Sequence, residues 1–341
     1  MKFKETTSKY QTLHSHTIVS DGLMSYKEVL EVCESNNIGV VAFTDHDSVP
    51  KESRVKELVD RKNNKTKWII GIEISADKPD DFDKKFTPHI VGLFVNPYDA
   101  NLLKHCKLAQ EARKERMSRI VKNLNKIGFI VTEKDCLAAS KGEAVGSPHI
   151  VQAIKSKKEN IILIEKLRVQ MKRDAKDNKI LKEKYDKMIK RGVDQYPYVL
   201  FLSSDSYIQG IYVNYLYRID LDTSVKLIRD AGGLAFFAHW FTEIEDCDAY
   251  LMEKLLKENR IDGAETIYGF YDNIKKDFIK QREILQSLIK KYNRLESGGV
   301  DAHNKNQIED FAKDEWYAGL TIGMTERILS SGKVDKKWSS L

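Results

Sequence analysis

Two short segments near the start of the chain, "TLHSHTIVSDG" (12–22) and "AFTDHDS" (42–48), constrain it more than any other feature. The first sets His14 and His16 two residues apart and follows them with Asp21. The second places His46 between Asp45 and Asp47. Side chains of a strand alternate between its two faces, so an H-x-H strand shows both imidazoles on one side. Imidazoles and carboxylates gathered on one face are a donor set for a divalent metal. Four later segments repeat the pattern: "GIEIS" with Glu73, "PHIVGLF" with His89, "GGLAFFAHW" with His239, and "SGGVDAHN" with Asp301 and His303. Each stands at the end of an apolar, strand-like run, and the recurrence predicts one convergent metal site.

The rest of the composition narrows the class. A chain of 341 residues, 41% hydrophobic and 32% charged, has room for a large barrel or two domains and reads as soluble and globular. No apolar run reaches bilayer length, and "MKFKETTSKYQ" lacks the apolar stretch of a secretory signal. Cys33, Cys106, Cys136 and Cys247 are far apart in the sequence. They read as reduced thiols of a cytoplasmic protein, neither a disulfide framework nor metal ligands. A His/carboxylate site suits Mn, Fe or Zn.

Short apolar runs at 39–44, 68–74, 89–94, 232–238, 261–267 and 294–300 predict buried strands. Residues 25–37 carry apolar side chains at 26, 29, 30 and 33, a helical spacing, with Ser25 and Glu28 placed as a capping box. Near-continuous apolar strands alternating with helices predict a parallel sheet or barrel, with the ligands along the rim at the strands' C-terminal ends. Between about 100 and 229 the strand signal fades. The stretch 108–128 reads as one helix ended by Gly128. Residues 155–191 hold 14 lysines and arginines against 6 acidic residues, a net of +8 in a chain of +6, so the remainder sums to −2. Leu181, Tyr185 and Met188 keep a helical stripe there. The expected division is a barrel from 1–99 and 230–341 and an inserted, mostly helical lobe from 100–229.

These segments together resemble the PHP family, named for polymerase and histidinol phosphatase. "LHSHTIVSDG" and "AFTDHDS" resemble its opening blocks, and "GIEIS", "HIVGLF", "FAHW", "DGAETIYG" and "GGVDAHN" its later ones in order. The resemblance covers roughly 10–98 and 230–325. It is strongest to phosphoesterases with an inserted helical lobe that act on nucleotides and short nucleic-acid ends. It implies a distorted (β/α)7 barrel with two or three divalent ions. By that resemblance His14, His16, Glu73 and Asp301 would hold one ion. Glu73 would bridge to a second held by His89 and His239, and Asp21, His46 and His303 would form a third position. Asp21 stands where some relatives carry histidine. "FAHW" departs from the family's His-Pro, and Trp240 would offer an indole beside His239 as a stacking wall for a base. "VGSPHIVQAI" (145–154) resembles a lobe block that reads Gly-Arg-x-His; Ser147 replaces the arginine, and His149 remains to face the site.

Several residues have a plainer reading. Asp45 is expected to orient an imidazole or cap its loop instead of ligating. His105 reads as a surface histidine, and Glu265 as a core-edge carboxylate paired with a lysine. Arg113, Arg116 and Arg119 read as a solvated stripe, with phosphate contact as the alternative. The +8 segment reads as a solvated helical surface that would attract a polyanion. The chemistry expected is hydrolysis of a phosphate ester of a nucleotide or short oligonucleotide by a metal-activated water, with Asp21 or Asp301 accepting the proton. Two other classes stay open: a metal-dependent C–N hydrolase, and a nucleic-acid-binding module with a structural metal site. No P-loop or dinucleotide fingerprint points to ATP or NAD chemistry.

Overall fold

A computed structural model describes residues 9–61, 65–84, 86–140, 144–269 and 275–341. Residues 1–8, most of the segment read above for a signal peptide, lie outside that set. The chain divides into two compact units, residues 1–108 with 218–341, and residues 109–217.

The first unit is built on eight strands: β1 Tyr10–Thr12, β2 Ile38–Phe43, β3 Lys67–Asp77, β4 His89–Leu93, β5 Ile219–Asp220, β6 Leu234–Phe237, β7 Gly263–Tyr268 and β8 Leu295–Gly299. They pair in the order β1-β2-β3-β4-β6-β7-β8, with β5 adding to the far end of β3. The backbone N–H of Leu13 donates to the Gly298 carbonyl, and Ser15 bridges Ala302. The last strand thus returns to the first, and the sheet is a nearly closed barrel. Its strands are continuous apolar runs because both faces are covered. Ile69, Ile70, Ile72, Phe236 and Phe237 are all buried. The connecting helices start where the sequence signals them. Helix Tyr26–Ser35 opens with Ser25 and Glu28 capping each other's backbone N–H groups, and it buries Tyr26, Val29, Leu30 and Cys33 against the barrel core.

Two details differ from a uniform parallel barrel. β4 runs antiparallel to both β3 and β6. Its first residue, His89, therefore lies at the rim where the other strands end. The H-x-H segment is also not inside β1: His14 and His16 follow it, in extended chain held by the Ser15 bridge. Alternation persists there because the backbone stays extended.

The second unit has its own core of Met117, Ile120, Leu124, Phe129, Ile150, Ile154, Met171, Met188, Leu200 and Phe201. It contains helices Glu133–Ser140, Ser147–Lys155, Lys158–Asp174 and Lys179–Arg191. Helix Ala100–Lys126 starts in the first unit, eight residues before the sequence signal, and Gly128 closes it with φ +95°. Tyr185 and Met188 are buried, as their spacing implies. The boundaries fall elsewhere than at 99/100 and 229/230. β5 and helix Leu221–Asp230, which buries Leu221, Val225 and Ile228, belong to the first unit. The two-residue β5 is too short to show any periodicity, which is why residues 218–229 read as insertion.

The barrel's closeness is most visible at Gly263, where an added Cβ would sit 1.9 Å from the Leu295 carbonyl oxygen and 3.0 Å from the Phe236 ring. Neither backbone can move without breaking its strand pairing. Gly263→Ala is expected to destabilise the protein by about 1–3 kcal/mol, the usual effect of overpacking, read as a lowered urea midpoint.

Candidate metal centre

The donors reach one rim of the barrel from six strands. His14 and His16 follow β1, Asp21 lies in the loop beyond them, and His46 follows β2. Glu73 comes from within the long β3, His89 opens β4, His239 follows β6, and Asp301 and His303 follow β8. The register brings Glu73 and His89 together. Ser75 pairs with His89 and Glu73 with Val91, so Glu73 and His89 are diagonal neighbours on one face. His89 Nδ1 lies 2.8 Å from Glu73 Oε1. At the loop after β2, the Glu73 backbone is held on both sides, its N–H donating to the Asp45 carbonyl and its carbonyl accepting from Asp47 N–H.

The donors fall into three overlapping groups whose ligand atoms all lie within 4.8 Å of one another. These are His14, His16, Glu73 and Asp301; His46, Glu73 and His89; and His16, Asp21, His46 and His303. His239 joins the second, its Nε2 3.1 Å from Glu73 Oε1 and 3.2 Å from His89 Nδ1. All nine residues expected from the sequence therefore converge. The structure adds that His16 and His46 each face two groups. His16 Nε2 lies 2.9 Å from Asp301 Oδ1 while its Nδ1 is 3.6 Å from Asp21 Oδ1. His46 Nδ1 lies 3.0 Å from Glu73 Oε2 while its Nε2 is 4.0 Å from Asp21 Oδ2. A neutral imidazole has one free lone pair, so each can serve only one group at a time.

The contacts have the character of a cation site. Glu73 Oε2 lies 3.0–3.2 Å from His14, His16 and His46, yet it is buried and no donor among the described residues meets it at hydrogen-bond angles. Asp301 Oδ1 and His46 Nδ1 share that condition. Buried polar atoms are normally hydrogen-bonded. Carboxylate oxygens and imidazole nitrogens that crowd together without well-aligned hydrogen bonds suit a shared cation.

The surrounding residues hold this arrangement. Asp45 is no ligand: Oδ1 accepts from the Thr17 and Ser20 N–H groups and the Ser20 hydroxyl, and Oδ2 from the Thr17 and Tyr26 hydroxyls. It fixes the loop that carries Asp21, the loop-capping role expected of it. His105 is not on the surface; it is 4% exposed and pairs with Asp47 at 3.4 Å. Among the described residues Glu265 meets no lysine; it bonds His14 Nδ1 at 2.9 Å. Trp240 is not a wall of the site. Its indole is 1% exposed and Nε1 donates to the Cys247 carbonyl, because the turn after His239 folds the ring into the core. His149 belongs to the second unit, where its Nδ1 accepts the Gly146 N–H at the start of its helix. In the same unit Arg119 is exposed beside Glu115, but Arg113 and Arg116 are buried, Arg116 against the Tyr212 and Tyr215 rings. Tyr268 was missed altogether: its ring lies 5.1 Å from that of His239, and burial together with the Asp301, Glu73 and Glu265 carboxylates raises the pKa of its phenol. It sits on the same strand as Glu265, three residues on, where period-2 alternation points to the opposite face; the β7 register shift between Glu265 and Ile267 removes that objection.

Residues 12–292 match the model of the PHP domain family. The chain belongs to that family. Among curated PHP-type relatives, it is 23% identical over 86% of its length, and 94% of theirs, to the phosphoribosyl 1,2-cyclic phosphate 1,2-diphosphodiesterase of Eggerthella lenta. It is 27% identical to the 5'-3' exoribonuclease Rnm of Salmonella typhimurium over 41% of this chain and 46% of that one. It is 28% identical to a 3',5'-nucleoside bisphosphate phosphatase of Chromobacterium violaceum over 34% of this chain and 39% of that one. Its fold resembles a protein from Bifidobacterium adolescentis assigned as a metal-dependent phosphoesterase, with TM-score 0.62 and 19% identity over 87% of this chain and 88% of that one. It also resembles an amidohydrolase from Chromobacterium violaceum solved with bound sulfate, with TM-score 0.59 and 19% identity over 86% and 88%.

As in any PHP centre rich in carboxylates, protons and cations compete for the same atoms. Burial opposes the charge on Glu73 and Asp301, but the surrounding imidazoles override it and hold both well below the ordinary carboxylate range. Burial likewise opposes protonation of His16, and Asp301 and Glu73 outweigh it, raising that imidazole to about 10. For His14, burial is outweighed by Glu265, Glu73 and Asp301. His46 goes the other way, to about 3, because burial dominates. With no cation bound, His14 and His16 are thus protonated at neutral pH, and a metal must displace those protons. Zinc uptake should release protons and tighten as pH rises from about 6 to 8. Calorimetry in buffers of different ionisation enthalpy checks this; binding that takes up no protons from buffer and gives none contradicts it.

Proposed function

We propose that the chain hydrolyses phosphate esters of a nucleotide or a short oligonucleotide at a centre of two or three Mn, Fe or Zn ions. The observation carrying this is the buried crowding of Glu73 Oε2 and Asp301 Oδ1 among imidazoles, with no well-aligned hydrogen bond to either oxygen among the described residues. His14, His16, Glu73 and Asp301 would hold one ion. Glu73 would bridge to another held by His89 and His239. Asp21, His303 and His46 would supply a third position, with His16 committed to the first. Divalent ions at such a site polarise the phosphoryl oxygens and lower the pKa of water.

The protein's own groups divide the remaining work. Glu73 is almost fully buried, while Asp21 and Asp301 keep 14% and 16% of their side chains exposed. These two are the carboxylates that an attacking water can reach, and either can accept its proton. His89 and His303 are the most open imidazoles of the set and lie on the side a substrate would approach; the leaving alkoxide would take its proton from water. The relatives named above act on phosphoribose cyclic phosphate, RNA and nucleoside bisphosphates. That supports a nucleotide-type substrate here. A cytoplasmic setting is consistent with four buried cysteines that form no disulfide among the described residues, and no helix among those residues is long and apolar enough to cross a membrane.

The test is metal analysis of purified protein with a phosphate-release screen over nucleotides, bisphosphates and short oligonucleotides, and amides alongside. Release of phosphate restored by Mn, and lost by orders of magnitude in Glu73→Gln with the fold intact, is expected. Turnover of amides alone, or an unaffected Glu73→Gln, overturns the reading.

The basic helices of the second unit supply a further expectation. Lys172, Arg173, Lys176, Lys179 and Lys182 are all exposed. A polyanion gains from them what a small ester does not, and salt screens that gain. The Michaelis constant for an oligonucleotide should therefore rise steeply with salt, and replacing these five by Gln should flatten the dependence. An unchanged slope would assign them to a merely solvated face.

A further inference from the structure

Glu265 is the one fully buried carboxylate at the centre that does not point at it. It lies in β7 with no exposure, and among the described residues neither of its oxygens meets a lysine or an arginine. Oε1 lies 2.9 Å from His14 Nδ1. Oε2 accepts the backbone N–H of His239 at 2.8 Å. His239 is itself unusual, a non-glycine residue with φ +32°. Such a conformation persists only where surrounding contacts over-determine it, and it is what directs the imidazole toward Glu73 and His89, 3.1 and 3.2 Å away. The irregular register of β7 against β8 starts at Glu265, and irregularities of this kind re-aim side chains near sites.

We propose that Glu265 is a positioning residue that sets two donors from opposite parts of the ring at once. Its first oxygen fixes the hydrogen of His14 on Nδ1, leaving the Nε2 lone pair for the group formed with Glu73, His16 and Asp301. Its second oxygen pins the left-handed backbone of His239. The proposal rests on the metal-centre reading and adds to it the residue that decides which nitrogen of His14 is available.

The amide of a glutamine cannot do both. The His239 N–H is always a donor and claims the amide oxygen. The amide NH2 then faces His14 Nδ1, which becomes an acceptor, and the imidazole hydrogen moves to Nε2, the atom that must stay bare. Glu265→Gln should therefore weaken zinc binding by about 10- to 100-fold, the usual effect of removing a carboxylate behind a metal-bound histidine. Glu265→Asp, which keeps two acceptors on a shorter arm, should recover part of the loss.

Zinc alone serves as the probe. Affinity is read by chelator competition, folding by circular dichroism, and the His14 ring by long-range proton–nitrogen spectra assigned against His14→Gln. In zinc-loaded wild-type protein the His14 hydrogen is expected on Nδ1. A hydrogen on Nε2, or a folded Glu265→Gln with wild-type zinc affinity, overturns the proposal while leaving the metal centre standing. A wild-type chain that takes up no zinc, Mn or Fe removes the metal-centre reading and this proposal with it. Should the glutamine variant fail to fold, the wild-type spectrum decides alone.

Discussion

Glu73 holds a negative charge at a place that water barely reaches, with 1% of its side chain exposed. An isolated carboxylate there would be expelled or protonated. It is kept by five imidazoles, His14, His16 and His46 at one oxygen and His89 and His239 at the other. Those imidazoles come from four different strands, β1, β2, β4 and β6, so the charge can be held only if the ring of strands is in register. β3 supplies the carboxylate from its middle, locked to the loop after β2 by two backbone hydrogen bonds. The reversed β4 then brings His89 to the same rim.

Around this carboxylate the barrel places supports of two kinds. Asp45 and Glu265 are buried carboxylates whose oxygens are taken by donors from the protein, five for Asp45 and two for Glu265. They shape loops and rings and have no capacity to spare. Glu73 and Asp301 are buried or nearly so, and each keeps one oxygen, Oε2 and Oδ1, that no well-aligned donor satisfies among the described residues. The difference separates carboxylates used by the protein from those with capacity left for a cation, without reference to motif. Strain marks the same places: His239 and Asp301 both have positive φ, at +32° and +52°. Such conformations are retained where the surrounding contacts fix a side chain's aim.

The PHP assignment and this geometry make different kinds of statement. Family membership fixes a barrel and a chemistry of phosphoric esters, which the Eggerthella lenta relative shares over nearly its whole length. What the present chain does with its insertion is its own matter. There, the buried guanidinium of Arg116 lies on two tyrosines and donates to the Val213 carbonyl, which gives it a packing role inside that unit.

The sequence by itself determined the donor inventory and its order. His14, His16, Asp21, His46, Glu73, His89, His239, Asp301 and His303 were legible because each follows or sits in an apolar run, and such runs are a local property. The capping box at Ser25 was legible for the same reason. Tertiary structure decided what those donors face. That β4 is antiparallel, that β5 and the helix after it belong to the barrel, and that His105 is buried against Asp47 all depend on pairings between residues far apart in the chain. Trp240 was read as a wall because it adjoins His239, yet the turn between them sends the indole inward. Glu265 was given a lysine because a buried charge needs a partner; the partner is an imidazole 251 residues away. Local pattern names the residues that can carry charge or metal, but only the closed ring of strands settles which of their atoms meet.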